Sequence, residues 1–278
     1  MKKFILNANG RILDLSAPRI MGVINLNEDS FYSGSRITHL KDVVQRARLM
    51  RDEGADILDL GVMSTRPGAK MISSEQEIEV LSAVLPELSQ VDILLSVDTI
   101  YHETAQYAID QGVHLINDIS GGRLDPDMWK TVASSSAVYV LMHSRGTPAT
   151  MSKMNDYPNG VTFDVLKELK KSLHAAQDSG IRDIIIDPGF GFAKNPKQNF
   201  EMMRQLRSFH VLGHPLLVGI SRKSMIWKTL NTTPEGALNG TTALHAYAMT
   251  HSPHILRVHD VKEARETLKL FENLNERG

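Results

Sequence analysis

Two carboxylates stand where carboxylates are hard to keep. Asp98 closes the apolar run Leu94-Leu95-Ser96-Val97, and Asp187 closes Ile184-Ile185-Ile186. A lone carboxylate among such neighbours loses its hydration, so positions of this kind call for a ligand or a charged partner. The turn after Asp187 is more specific. Pro188-Gly189-Phe190-Gly191-Phe192 sets two aromatics one glycine apart behind the acid. That order suits a flat heterocycle gripped by its edge and covered on its face, with Phe190 in the core and Phe192 as the contact.

Cations follow the same logic. Ser221-Arg222-Lys223 places two positive charges directly after an apolar run, where a helix should begin. The helix dipole disfavours each by roughly 0.3–1 kcal/mol. Lys223 is therefore expected to meet a ligand or a carboxylate, while Arg222 is equally compatible with a solvated pair. Arg257 and His259 alternate along another apolar run, so both project to one face and could hold an anion. Two further segments mix hydroxyls, amides and charges with turn residues: 25–31, ending on Phe31, and 61–68, which includes Ser64-Thr65-Arg66-Pro67-Gly68. Taken singly, such loops are weak signals.

The elements that must carry these groups recur. Apolar runs fall at 20–26, 56–61, 94–99, 114–120, 137–143, 183–190, 215–221 and 255–260, with amphipathic stretches between them. Runs apolar on both faces that alternate with helices predict a parallel sheet covered on both sides. Eight of them favour an α/β architecture closed as a (β/α)8 TIM barrel. No Gly-x-Gly-x-x-Gly turn follows the first full run, which counts against a dinucleotide fold. Before the barrel, Phe4-Ile5-Leu6 and Arg11 to Leu15 flank Asn7-Ala8-Asn9-Gly10, a short N-terminal β-hairpin. The expected organisation is one domain over 1–278, with the hairpin at 1–16 and the barrel at 17–278.

Each apolar run ends on a polar residue: Asn25, Asp59, Asp98, Asn117, His143, Asp187, Ser221 and His259. Any one of them is most simply a helix cap; together they predict a lined mouth at the carboxyl ends of the strands. Asp260 is read as a cap only. Ser74 with Glu77 reads as a capping box over a helix burying Ile78, Leu81 and Leu85. Asp125-Pro126 and Asn195-Pro196 read as caps before a first-turn proline. Helical faces are expected at Leu40, Val43, Val44, Ala47 and Met50, at Leu166, Leu169, Leu173 and Ala176, and at Ala264, Thr267, Leu268 and Phe271.

Composition excludes several classes. A net charge of -1 without charge blocks argues against nucleic-acid and membrane surfaces. The absence of cysteine removes disulfides, thiolate metal sites and a cysteine nucleophile. No apolar stretch is long enough for a signal peptide or a span, so a cytoplasmic enzyme is the expectation.

In combination, Met21-Gly22-Val23-Ile24-Asn25, Asp29-Ser30-Phe31, Ser64-Thr65-Arg66-Pro67-Gly68, Ser96-Val97-Asp98-Thr99, Asn117-Asp118-Ile119, Met142-His143, Asp187 to Phe192, Ser221-Arg222-Lys223 and Arg257-Val258-His259 resemble the dihydropteroate synthases, in order and over nearly the whole chain. The resemblance implies condensation of (7,8-dihydropterin-6-yl)methyl diphosphate with 4-aminobenzoate to give 7,8-dihydropteroate and diphosphate, within folate biosynthesis. It implies Mg2+ as cofactor, with Asn25 as its protein ligand, and a homodimer. Asp98, Asn117, Asp187 and Lys223 resemble the pterin-binding set, with Asp98, Asp187 and Lys223 the catalytic members. Met142 and Phe192 would add apolar contact. Thr65, Arg257 and His259, with Arg66, resemble the diphosphate anchors; Phe31, Pro67 and Ser221 resemble the aminobenzoate pocket, where sulfonamides compete.

Departures from the family lie in two loops. Leu26-Asn27-Glu28 stands where Val-Thr-Pro is usual, Ser33 where an aspartate is common, and Val62-Met63 where a glycine and a glutamate are usual. Two other readings compete: a pterin-binding homologue without the second-substrate site, and a methyl-transfer barrel of the corrinoid methyltransferase kind. The latter would need neither the Ser64 to Pro67 segment nor the Arg257/His259 pair.

Overall fold

The structure, a computed structural model, describes residues 2–26, 36–63, 71–147 and 149–275. Strands β1 (Ile5–Ala8) and β2 (Arg11–Asp14) form the antiparallel hairpin, turned at Asn9 and Gly10, both with positive φ. Eight parallel strands follow: β3 (Arg19–Asn25), β4 (Ile57–Gly61), β5 (Leu94–Asp98), β6 (Leu115–Asp118), β7 (Val138–Met142), β8 (Ile184–Asp187), β9 (Leu217–Val218) and β10 (Ile255–Val258). Their order in the sheet is β8-β7-β6-β5-β4-β3-β10-β9. An isolated parallel bridge between Ile186 and Leu216 draws β8 towards β9, leaving a nearly closed barrel.

Helices lie between the strands on the outside: α1 (Arg36–Asp52), α2 (Ser74–Leu88), α3 (His102–Asp110), α4 (Met128–Ala133), α5 (Val161–Asp178), α6 (Pro196–Arg204), α7 (Ser224–Thr229), α8 (Leu238–Met249) and α9 (Val261–Asn275). The three expected helical faces all pack inward, against a shell formed by outward-facing strand residues such as Leu58, Val97, Ile116, Leu141 and Ile186. Among the described residues, no helix is long and apolar enough to cross a membrane.

Inside the barrel the side chains stack in layers, because alternate strand residues face the axis. At the amino end each strand gives one apolar residue: Met21, Ile57, Leu94, Leu115, Val138, Ile185, Leu217 and Ile255. Leu6, Ala8, Leu13 and Leu15 of the hairpin segment pack onto this layer and close that end. Burying each leucine contributes about 1.5–3 kcal/mol, an upper figure for a chain that is partly collapsed when unfolded. Two residues further along, the same alternation brings Asp59, Ser96, Asn117, Asp187 and Arg257 inside. The interior thus turns from apolar to ionic within one layer.

Several caps differ from expectation. Helix α2 is capped by Ser73, whose box partner is Gln76, one residue before the expected Ser74/Glu77 pair. Its buried face is correspondingly Glu77, Val80, Leu81, Val84, Leu85 and Leu88, with Ile78 only half-buried. Asn195 and Gln198 do form a box before Pro196. Asp125 does not cap α4: its carboxylate accepts from the His102 amide at 2.7 Å and meets the His102 ring at 2.8 Å, tying down the start of α3.

Candidate active site

The polar layer is organised around Asp59, which is fully buried on β4. Its Oδ1 accepts from Ser96 Oγ at 2.6 Å, and its Oδ2 accepts from Asn117 Nδ2 at 2.9 Å and Arg257 Nε at 2.6 Å. Arg257 donates its second edge, Nη2, to Asp98 Oδ2 at 2.8 Å. One guanidinium on β10 therefore bridges carboxylates on β4 and β5. Burial disfavours its charge, yet Asp59 and Asp98 outweigh that and raise it above the usual arginine value. Asp98 is raised too, by burial above all, with Arg257 opposing. Among the described residues, Arg257 Nη1, Asp98 Oδ1 and the Asn117 side-chain oxygen have no partner, and all are near the open end.

Asp187 lies across the barrel on β8. Its Oδ1 accepts from the Gly189 amide at 2.7 Å, and its Oδ2 has no described partner. Burial raises its titration point, against the lowering influence of Lys223, the Gly189 amide, Arg257 and Lys194. Lys223 donates to the Phe190 carbonyl and sits 4.8 Å above the Phe192 ring. Burial lowers its pKa to about 8, with Asp187 opposing. Gly189 has φ +70°, and a Cβ there would fall 1.9 Å from the His143 carbonyl oxygen. The turn is pressed onto the end of β7 at a distance only glycine allows. Phe190 is core and Phe192 half-buried, as the spacing suggested. Met142 joins Met63, Ile100 and Ile119 in a small apolar wall that Phe192 packs against. Met63 is thus buried against the same surface as Met142.

At the rim, Ser221 Oγ accepts from the His259 amide at 3.2 Å, which joins the ends of β9 and β10. Burial lowers the His259 ring to about 4, aided by Arg257, so it is neutral near pH 7. Asn25 ends β3 with an exposed amide that has no partner among the described residues. Phe31, Thr65, Arg66 and Pro67 lie outside the described residues, as do Asn27, Glu28 and Ser33.

Three expectations need correction. His143 does not face the mouth: Met142 takes the inward position, and His143 is buried outside the barrel wall against Glu168 of α5, 3.0 Å away. Asp59 does not open on the mouth either: it is fully buried, with its oxygens taken by Ser96, Asn117 and Arg257. Asp260 is more than a helix cap, because its carboxylate takes Arg222 through both oxygens at 2.8 Å. That pair settles Arg222 as an ion-paired residue held away from the barrel axis. Sequence reasoning missed two buried groups. Lys194 carries no local signal, since it follows a loop and precedes a helix cap. Glu77, read as a cap member, is fully buried and accepts from Thr99 Oγ1 at 2.6 Å; burial raises its pKa to about 7.

A cleft of about 330 Å³ opens at the opposite, amino end, lined by Lys2, Phe4, Arg207, His210, His214, His251 and Ser252. It lies beyond the hairpin and shares no residue with the ionic layer.

With this geometry in view, comparison with known proteins is decisive. Residues 21–259 match the family of pterin-binding enzymes. The dihydropteroate synthase of Escherichia coli (strain K12) is 38% identical over 268 residues, covering 95% of this chain and 94% of that protein. The chain belongs to the dihydropteroate synthase family of pterin-binding enzymes. Among solved structures, dihydropteroate synthase from Thermus thermophilus in complex with 4-aminobenzoate superposes with a TM-score of 0.87 at 37% identity, covering 98% of this chain and 100% of that one. The same enzyme in complex with 6HMPPP gives 0.83 at 35% identity, covering 98% and 99%. The family match begins in β3 and ends just after β10, so it spans all eight barrel strands and leaves out the hairpin.

Proposed function

We propose that the chain works as its family does: it condenses (7,8-dihydropterin-6-yl)methyl diphosphate with 4-aminobenzoate, giving 7,8-dihydropteroate and diphosphate in folate biosynthesis. The observation that carries the reading is the ionic layer itself. Two strand-end carboxylates, an amide, a lysine and an arginine converge with free valencies at the open end of a barrel whose other end is sealed.

The pterin enters with its edge down. Its amino and ring N–H groups donate to Asp187 Oδ2 and to the Asn117 oxygen, charge-assisted at the acid. Lys223, with protons to spare beyond the Phe190 carbonyl, donates to the pterin carbonyl and adjoining ring nitrogen. Phe192 and Met142 cover the ring face. Asp98, with one oxygen committed to Arg257, keeps its other oxygen towards the ring. At the methylene carbon the C–O bond to diphosphate breaks and a C–N bond to the aminobenzoate amine forms, the amine then losing a proton. Asp98 and Asp187 offset positive charge developing on the pterin, while Arg257 Nη1 and His259 meet the departing diphosphate. No side chain becomes a covalent nucleophile.

Asn25 fits Mg2+ in kind: it is a neutral hard oxygen donor, exposed at the rim and unspent. Mg2+ typically keeps several waters and takes one or two protein oxygens plus substrate phosphates. When bound there, the ion supplies charge neutralisation to the diphosphate. Thr65 and Arg66 complete the diphosphate anchors, and Phe31, Pro67 and Ser221 complete the aminobenzoate pocket. Exposed Tyr247 on α8 and exposed Leu270 and Leu274 on α9 support a homodimer, and the cysteine-free sequence is compatible with a cytoplasmic setting.

The test follows diphosphate release from the pterin substrate with and without 4-aminobenzoate, with Mg2+ and after chelation. Release and dihydropteroate formation should both need Mg2+. Asp187→Asn should weaken pterin binding by about 1.5–3 kcal/mol, the worth of one charge-assisted hydrogen bond. Tight pterin binding with no dihydropteroate would instead identify a pterin-binding homologue. Undiminished turnover after chelation would remove Mg2+ and Asn25 from the mechanism.

A further inference from the structure

Lys194 is 8% exposed, and its ammonium has three protons and three acceptors. It donates to His143 Nδ1 at 3.0 Å, to the Gly189 carbonyl at 2.9 Å and to the Phe192 carbonyl at 2.9 Å. Two of these acceptors belong to the turn at 187–193, so the side chain curls back and ties its own turn shut. The third lies on the neighbouring strand end, where Gly189 already touches the His143 backbone. Every proton is used internally, so Lys194 cannot itself hold substrate. Burial pulls its pKa well below the usual lysine value, with Asp187 opposing. Three acceptors around one nitrogen nevertheless call for the fully protonated form.

The tie is backed by a second row of groups. Because His143 Nδ1 accepts from the ammonium, its proton sits on Nε2 and points to Glu168 Oε2 at 3.0 Å. Burial, reinforced by Lys194, pulls the His143 titration down to about 3, which keeps the ring neutral. Glu168 is held in turn by Arg145. From α6, Asn199 accepts from the Gly191 amide at 2.7 Å and donates to the Lys194 carbonyl at 3.2 Å. The turn carrying Asp187 and Phe192 is therefore fixed from β7, α5 and α6 at once.

We propose that Lys194 is a positioning residue of the pterin site: it locks the turn that aims Asp187 and Phe192, and it keeps a buried positive charge in that turn whose influence reaches the Asp187 carboxylate. The inference rests on the reading of Asp187 as the pterin acceptor. Asp187 feels three cations, Lys223 first, then Arg257, and Lys194 the weakest of the three. Beyond Lys194 stand His143, Glu168 and Arg145. Lys223 and Arg257 both have work with substrate; Lys194 has none, so its charge is constant through the reaction.

The experiment measures pterin affinity by calorimetry from pH 5 to 9, with KM for both substrates, in Lys194→Met and Lys194→Gln. Lys194→Met should weaken pterin binding about 10-fold at pH 7.5, through a misaimed Asp187 and with no direct contact removed. KM for 4-aminobenzoate should move less than pterin affinity, because the ties of Lys194 act on the turn that aims Asp187. The acid limb of pterin affinity should move to higher pH, since Asp187 loses a stabilising charge. Lys194→Gln keeps hydrogen-bonding capacity without the charge and should show the same displacement with a smaller loss of melting temperature. If both variants melt earlier but bind pterin with an unmoved pH profile, Lys194 is a structural tie only and the proposal is wrong. A failure to fold in Lys194→Met leaves Lys194→Gln to decide. Asp187→Asn separates the underlying reading: if it leaves pterin affinity intact, Asp187 itself is misassigned. If it abolishes binding while both Lys194 variants bind normally, only the role of Lys194 falls.

Discussion

The two ends of the barrel both concentrate titratable side chains, and they use them in opposite ways. At the amino end the partners are largely main chain, although Asp56 also takes Arg19 and Arg265. His254 Nδ1 accepts from the Leu216 amide at 3.0 Å, and its Nε2 lies 3.1 Å from the Lys2 carbonyl. His114 Nδ1 accepts from the Leu95 amide, Asp56 from the Ile20 amide and Asp183 from the Asn7 amide. At the carboxyl end side-chain partners predominate: Asp59, Asp98 and Arg257 hold one another, while Lys223 donates to the Phe190 carbonyl above the Phe192 ring and Asp187 accepts from the Gly189 amide. A group closed on the backbone has finished its task at folding. One closed on another side chain keeps unused valencies, and those are what a substrate can claim. Burial of a charge is thus a poor guide to function until its partners are named.

The comparison can be broken most directly at Arg257. Arg257→Met strands Asp59 and Asp98 inside the barrel, and breaking a buried pair in this way typically loses about 3–5 kcal/mol. Urea unfolding should show that loss, and product formation should fall by about 10²–10³ even where the protein stays folded. A variant that loses neither would mean the ionic layer is ornamental. Glu77 offers an intermediate case, buried near the carboxyl end and bonded to the Thr99 hydroxyl, with no cation beside it among the described residues. Its folded pKa, about 7, lies above the unfolded value, so its contribution is harmless below about pH 4.5. The charged form then weakens the fold progressively until the folded pKa is passed. Glu77→Gln should therefore raise stability by up to about 3 kcal/mol at pH 8 and leave it nearly unchanged at pH 4.5. Catalysis should not move; a large fall in kcat would promote Glu77 to the site.

His254 gives the mildest test, from the other end. Burial lowers its pKa to about 4, below the unfolded 6.5. The stability it contributes is complete above about pH 6.5 and is lost as pH falls towards 4. His254→Gln keeps one backbone hydrogen bond and should cost about 1 kcal/mol at pH 7.5. It should also flatten the decline in melting temperature between pH 6.5 and 4, with kcat/KM unaltered. A change in turnover at pH 7.5 would show that the ends are coupled.

The same contrast explains what the sequence could reveal. Asp98 and Asp187 were legible because the apolar run before each is local. The closed turn at Asp187 was legible because glycine and phenylalanine spacing is local too. The partner of Arg257 was not, since Asp59 is 198 residues away and only barrel closure brings them together. The outward turn of His143 hinged on parity: Met142 and His143 are adjacent, and one of the two had to face the axis. Ser73 and Ser74 are equivalent caps on paper, and the choice between Gln76 and Glu77 fell to which could be buried against Thr99. Lys194 reads as an ordinary loop lysine, and nothing short of the folded turn shows where its stem bends.

The hairpin carries a consequence in time. Its ties run to residues far along the chain: Asn9 to Val113 and Ser136, Asn7 to Asp183, Lys2 to Gly213 and His254. None of these receivers exists while residues 2–15 leave the ribosome, and the last is complete only when β10 is in place. Contacts at such separations form late, after the closure entropy of the intervening chain has been met. A segment made before all of these partners is therefore the last to settle. Until it does, the apolar ring of Met21, Ile57, Leu94 and their neighbours stands open to water and to chaperones.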